Sequence, residues 1–155
     1  MEFYQEAQNL ILVGGYGFSD ITGDHVTFPN LTVVDIPATI QAVIENRLTD
    51  QFFRQLRDTF FQITGGRLDK INNSYYLIGG QKFMGRYNPM GPTHGPGFVQ
   101  EYTNCLKKFD LIDDSSQIRI TNVNRWTDKT AFHRRDYNVV AQIMPDGREG
   151  LTAFS

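Results

Sequence analysis

Two glycine pairs, each directly behind a short apolar run, constrain this chain more than any other feature. Leu10-Ile11-Leu12-Val13 precedes Gly14-Gly15, and Tyr75-Tyr76-Leu77-Ile78 precedes Gly79-Gly80, 65 residues further on. Self-similarity at such a spacing means a repeated structural unit, because one unit of this kind cannot bury its own apolar face and needs a like neighbour. The order downstream recurs as well. Each pair is followed by a loop rich in Gly, Pro and aromatics, then by a strand ending apolar-Asp-apolar: Val34-Asp35-Ile36 in the first copy, Phe109-Asp110-Leu111 in the second. Arg57-Asp58 and Arg135-Asp136 open similar segments and are aligned on that basis as a recurring ion pair between strands. One complete unit and two partial ones are expected, the third glycine pair falling due at about the last residue.

Between the glycine and proline clusters lie runs of β-formers, each about one strand long, at 9–13, 31–36, 74–78, 106–111, 118–123 and 137–144. One helix interrupts them. Pro37 suits a first helical position, and Ile36, Ile40, Val43 and Ile44 follow the i, i+4, i+7, i+8 spacing of a single apolar face, which predicts a helix over 37–47. Residues 49–58 carry a capping Thr and mixed periodicity, compatible with helix or strand.

A chain of 155 residues with 40% apolar and 13% aromatic content can fill a core. Lys and Arg number 15 against 17 for Asp and Glu, so no basic surplus exists to attract nucleic acid or an anionic membrane, and neither is an expected partner. No apolar run approaches the length of a membrane helix, and the lone Cys105 has no partner for an internal disulfide. The fold class these features predict is all-β with a short helical insertion.

A strand ending in a glycine doublet (LILVGG, YYLIGG), a spacer, a strand ending in Asp, and a fourth strand carrying Trp126 together resemble the Kelch motif of β-propellers. That superfamily includes galactose-oxidase-like domains. The HRRDYN and GRYNPMGPTHGPGFVQEYTN blocks are similar to those of uncharacterised bacterial Kelch-like proteins. The resemblance implies Kelch-type blades of an incomplete β-propeller: a partial blade at 1–56 with its helical insertion at about 37–47, a complete blade at 57–126, and the start of the next at 127–155. Gly14, Gly15, Gly79 and Gly80 are then structural, Gly14 and Gly79 buried against the neighbouring sheet, and Trp126 belongs between sheets. Open sheet edges imply remaining propeller blades, or self-association, as partners. A dinucleotide fingerprint at Gly15-Tyr16-Gly17 is set aside because no third glycine follows at the required position.

Alternate loops of an up-and-down sheet lie at one end. Segments 16–29, 81–103 and 127–135 therefore share a face, and all three histidines, His25, His94 and His133, fall in them. The candidate ligand-binding residues are Arg86, Tyr87, Asn88, His94, His133, Arg134 and Arg135, with His133 or Arg134 expected nearest the axis. The histidines have no local ligand spacing, so no metal site and no cofactor are expected. No nucleophile elbow, HExxH or phosphate loop occurs, and none of the copper-ligand roles of galactose oxidase maps onto this chain. The expected function is a binding or scaffold module whose loop face takes a carbohydrate or protein ligand. The alternative is a sugar-active enzyme of the same fold with His94, His133, Arg134 and Arg135 at the channel mouth; a third reading makes the blades a spacer. Compartment is left open, a secreted or cell-surface place in a longer bacterial protein being compatible with the resemblance.

Overall fold

The computed structural model describes residues 1–88 and 97–154. In chain order these form β1 (Glu2–Glu6), β2 (Asn9–Val13), β3 (Tyr16–Ser19), β4 (Asp24–Thr27), β5 (Asn30–Asp35), α1 (Ile36–Ile44), β6 (Phe53–Arg57), β7 (Arg67–Ile71) and β8 (Ser74–Ile78). They continue with β9 (Gln81–Met84), β10 (Val99–Tyr102), β11 (Cys105–Asp113), β12 (Ile118–Thr127), β13 (Asn138–Ile143) and β14 (Glu149–Phe154). The chain is mostly β with one short helix, as its sequence predicts. Two four-stranded antiparallel meanders, β1-β2-β5-β6 and β7-β8-β11-β12, are followed by the two-stranded β13-β14. The hairpins β3-β4 and β9-β10, inserted at matching points of the two meanders, join each other as a further four-stranded sheet of order β10-β9-β4-β3.

The repeat is structural. Strands β1, β2 and β3 return as β7, β8 and β9 with unchanged lengths, 65 residues along. Gly14 N–H donates to the Asn30 carbonyl and Gly79 N–H to the Cys105 carbonyl, each closing the ladder of its own sheet. The second glycine of each pair reaches forward. Gly15 N–H donates to the Ile63 carbonyl and Gly80 N–H to the Arg134 carbonyl, both at 2.9 Å, so each doublet ties its sheet to the segment entering the next. A Cβ on Gly14 would stand 2.0 Å from the Ile63 carbonyl oxygen and one on Gly79 2.0 Å from the Tyr137 ring, both at positive φ. Gly79 is buried as expected; Gly14 is only half-buried, though its close neighbour is just as restrictive.

The same hydrogen bonds correct the alignment of Arg57-Asp58 with Arg135-Asp136. Asp58 corresponds to Asp128. Each follows a fourth strand, donates its N–H to the residue before a third strand (Pro29, Asn104), and caps a tight turn, Asp58 accepting from Phe60 N–H and Asp128 from Thr130 and Ala131 N–H. Asp136 corresponds to Gly65, with φ of 57° and 66°. Arg135 contacts its own neighbour Asp136 at 3.5 Å, so no recurring ion pair between strands exists there. A shared dipeptide is weaker evidence of equivalence than a shared backbone hydrogen bond.

The first and second meanders pack face to face, β1 against β7 and β6 against β12. Ile11, Val13, Leu31 and Val33 meet Leu68, Leu77 and Phe109, with Phe61 and Ile63 from the connecting segment filling the middle. Phe109 stacks on Tyr75 at 5.4 Å and takes Phe61 edge-on at 5.3 Å, geometries that aromatic quadrupoles favour. Charges clamp the margins. Glu6 binds Lys70 and the Tyr75 hydroxyl beside the inner strands, and Arg54 forks onto Asp113 at 2.6 and 2.8 Å beside the outer ones. The sheet β13-β14 covers the opposite side of the second meander through Tyr137, Val139 and Leu151 against Ile78 and Leu106.

Three local expectations change. Trp126 pairs with Leu106 on β12 but is 48% exposed, because the two-stranded third sheet covers only the inner half of its neighbour. The helix spans Ile36–Ile44, with Asp35 capping Ala38 N–H at 3.0 Å and Pro37 in the first turn, but Ile40, Val43 and Ile44 face solvent and only Ala42 is buried. Residues 49–58 become a 3-10 turn (Asp50–Phe52) and then a strand, because β6 has β5 to pair with.

Candidate functional site

A cavity of about 540 Å³ lies where the inserted hairpins overhang the inner strands. Tyr16 on β3, Gln81 and Phe83 on β9 and Tyr87 behind it form one wall. The other is built from Glu2 at the start of β1, Thr64 to Gly66 before β7, and Arg135-Asp136 before β13. The repeat explains this convergence: the chain enters three successive inner strands from the same end, and both inserted hairpins leave from that end.

Buried hydrogen bonds lock the hairpin wall. Thr27 Oγ1 accepts from Phe83 N–H at 2.8 Å and donates to the Phe83 carbonyl, and Gly85 N–H donates to the His25 carbonyl. The Tyr16 hydroxyl donates to the Gly85 carbonyl at 2.8 Å while accepting Tyr87 N–H at 2.7 Å, so one side chain from the first repeat positions the loop of the second. Phe83, Tyr87 and Phe98 form a mutual cluster with centroids 5.1 to 5.6 Å apart. Tyr87 nonetheless keeps 44% exposure at the cavity.

The polar wall is held as firmly. Gln81 is buried, exchanges two backbone hydrogen bonds with Thr64, and accepts on its side-chain oxygen from Gln100. Glu2 is buried to 9% exposure with Oε1 3.1 Å from Gly66 N–H. Burial pushes the Glu2 carboxyl above its ordinary range, outweighing the nearby amine of Met1 and the Gly66 and Gly65 amides, and the Asp136 charge pushes the same way. The cavity is thus lined by two carboxyl groups, a guanidinium and a buried amide together with the rings of Tyr16, Phe83 and Tyr87. Among the described residues no group of three His, Cys, Asp or Glu could hold a metal ion.

The sequence candidates divide. Tyr87 and Arg135 line the cavity, with exposed Arg86 and half-buried Asn88 flanking Tyr87. His133 stands apart, its ring tilted against Tyr102 at 4.2 Å with Nδ1 2.7 Å from Asn104 Oδ1. Arg134 takes the place of Ile63 in the repeat and accepts Gly80 N–H on its carbonyl, while the next two residues, Arg135 and Asp136, line the cavity. His25 packs between Tyr16 and Phe18 on the inserted hairpin. His94 lies outside the described residues.

The sequence candidates omit Glu2, Tyr16, Gln81 and Asp136, although Tyr16 and Gln81 open the segments 16–29 and 81–103 assigned to the shared face. Nothing in the sequence marks Glu2, whose counterpart one repeat later, Arg67, is exposed. What buries Glu2 is the glycine turn at 65–66, invisible until the sheets are placed side by side. No protein-family model matches the chain, and no curated protein matches it.

Proposed function

We propose that this chain is a run of Kelch-type β-propeller blades that serves as a carbohydrate-binding module, the ligand lying in the cavity beneath the inserted hairpins. The blade reading is supported by two like meanders side by side, inner strand against inner strand and outer against outer, with a third sheet begun in the same sense. The ligand reading rests on one observation: a single cavity is lined by the Tyr87 ring and Gln81 on one wall and by Glu2, Arg135 and Asp136 on the other. A pyranose presents a C–H face and a rim of hydroxyls; a ring takes the first, and carboxylates, an amide and a guanidinium take the second. A recess of this size fits one or two sugar residues better than a flat protein epitope does.

A glycan array probed with the 155-residue chain tests this. Retention of a defined glycan subset is expected, with Tyr87→Ala and Arg135→Ala each weakening the titrated affinity by about tenfold, the scale of one lost ring contact or charged hydrogen bond. No retention, or retention indifferent to both substitutions, overturns the proposal. Turnover of a retained glycan would favour the sugar-active enzyme instead.

A further inference from the structure

The contact between the first and second meanders has two halves, and the chain displays a spare copy of each. In the internal contact, Tyr4, Ile11 and Val13 of the first sheet press on Leu68 and Leu77 of the second. Register identifies the counterparts of both sets. Phe3 pairs with Leu12 on the outer side of the first sheet as Leu68 pairs with Leu77 on the second. On the third sheet, Asn138 pairs with Phe154 and Val140 with Thr152, as Glu2 pairs with Val13 and Tyr4 with Ile11 on the first.

Both spare halves are uncovered. Leu68 and Leu77 are 1% and 0% exposed under the first sheet, whereas Phe3 is 57% exposed and Leu12 half-buried. Tyr4 is half-buried and Val13 fully buried, whereas Val140 and Phe154 are 53% and 54% exposed. Adjacent exposed apolar residues in register with a buried interface identify the kind of surface that fits them. Here that surface is carried by the same molecule.

We propose that copies of this chain associate head to tail, the far face of β13-β14 in one copy (Val140, Phe154) covering the outer face of β1-β2 in the next (Phe3, Leu12). The contact repeats the internal sheet-to-sheet packing. It is heterologous, since the two surfaces differ, and each copy offers one of each. It does not depend on the carbohydrate reading, because neither surface borders the cavity.

Sedimentation velocity of the 155-residue chain from micromolar to high micromolar concentration tests the proposal. The weight-average mass should rise above the 17.7 kDa monomer with concentration. Phe3→Lys and Val140→Lys alter exposed side chains, one in each half, and each variant alone should stay monomeric. An equimolar mixture should form dimers and stop there, because only one intact pair of surfaces remains. That recovered dimer also shows both variants to be folded. A wild-type chain monomeric throughout overturns the proposal, and so does a mixture that fails to dimerise, which would make any self-association isologous or unrelated to these faces.

Discussion

At Asp35 the first meander lets its third strand go, while at the matching Asp110 the second keeps its strand running to Asp113. The same residue serves opposite ends. Asp35 accepts Ala38 N–H and, with Pro37 behind it, starts a helix. Asp110 accepts from the Ser74 hydroxyl and the Asn122 amide across a bulge, and the strand continues. The pair teaches that a repeat conserves the geometry of its inner strands, while its outer half takes whatever the following residues dictate. Burial follows the same gradient. Glu2, Val13, Leu31 and Leu56 form one cross-strand row on the first sheet, and Arg67, Ile78, Leu106 and Trp126 form its counterpart on the second. The first row lies under a full sheet; the second is covered only towards its inner end.

The glycine doublets allow the hardest test of this equivalence. Gly14→Ala should cost about 4 kcal/mol or more, because φ is positive and the clash is with a backbone carbonyl that cannot turn aside. Gly79→Ala meets a Tyr137 ring that can swing away, and should cost about 2 kcal/mol. Urea denaturation of both variants checks the order, and a larger loss at Gly79 would break the comparison.

Leu31→Ala should cost about 3 kcal/mol, and Leu106→Ala about half that, since Leu31 is 0% exposed and its counterpart Leu106 only half-buried. Equal losses would mean that the third sheet covers its neighbour fully in solution.

Lys107 separates the sheets by charge, because its counterpart Thr32 carries none. Burial lowers the Lys107 pKa, the Cys105 charge acting the other way, and its ammonium donates to the Phe60 carbonyl. Between that lowered value and 10.5 the unfolded chain binds more protons than the folded one, so stability should rise with pH across this window. Lys107→Thr should flatten the rise and shift stability at neutral pH by about 1 kcal/mol, measured by denaturation at several pH values.

Asp35→Ala should cost about 1 kcal/mol and reduce the helical circular-dichroism signal, whereas Asp110→Ala should leave that signal unchanged. The smallest expected effect is a gain. Ala7 and Asn72 hold equivalent hairpin positions at φ of 50° and 52°, a conformation Asn tolerates better than Ala, so Ala7→Asn should stabilise by about 0.5 kcal/mol in the same urea assay.

Much of this molecule was legible in its residues. The doublets located the repeat, and the runs at 9–13 and 74–78 match β2 and β8 to the residue, because a short run of β-forming residues closed by a glycine pair marks both the strand and its end. Tyr87 and Arg135 were found on the cavity because loops leaving one end of a sheet must meet there. Other features depend on what stands opposite. Trp126 reads as a core residue and is half exposed; the apolar helix stripe reads as inward and faces water; Arg57-Asp58 reads as the partner of Arg135-Asp136, while the hydrogen bonds pair Asp58 with Asp128.

The residues alone determined strands, doublets, the helix cap and the order of the repeat, all of which follow from local backbone preference and side-chain periodicity. Only tertiary structure decided that Glu2 is buried, that Tyr16 of one repeat holds the loop of the other, and that Phe3 and Val140 are exposed where their counterparts are covered. Burial and pKa belong to a pair of surfaces, and a sequence names the residues of each surface without saying which two will meet.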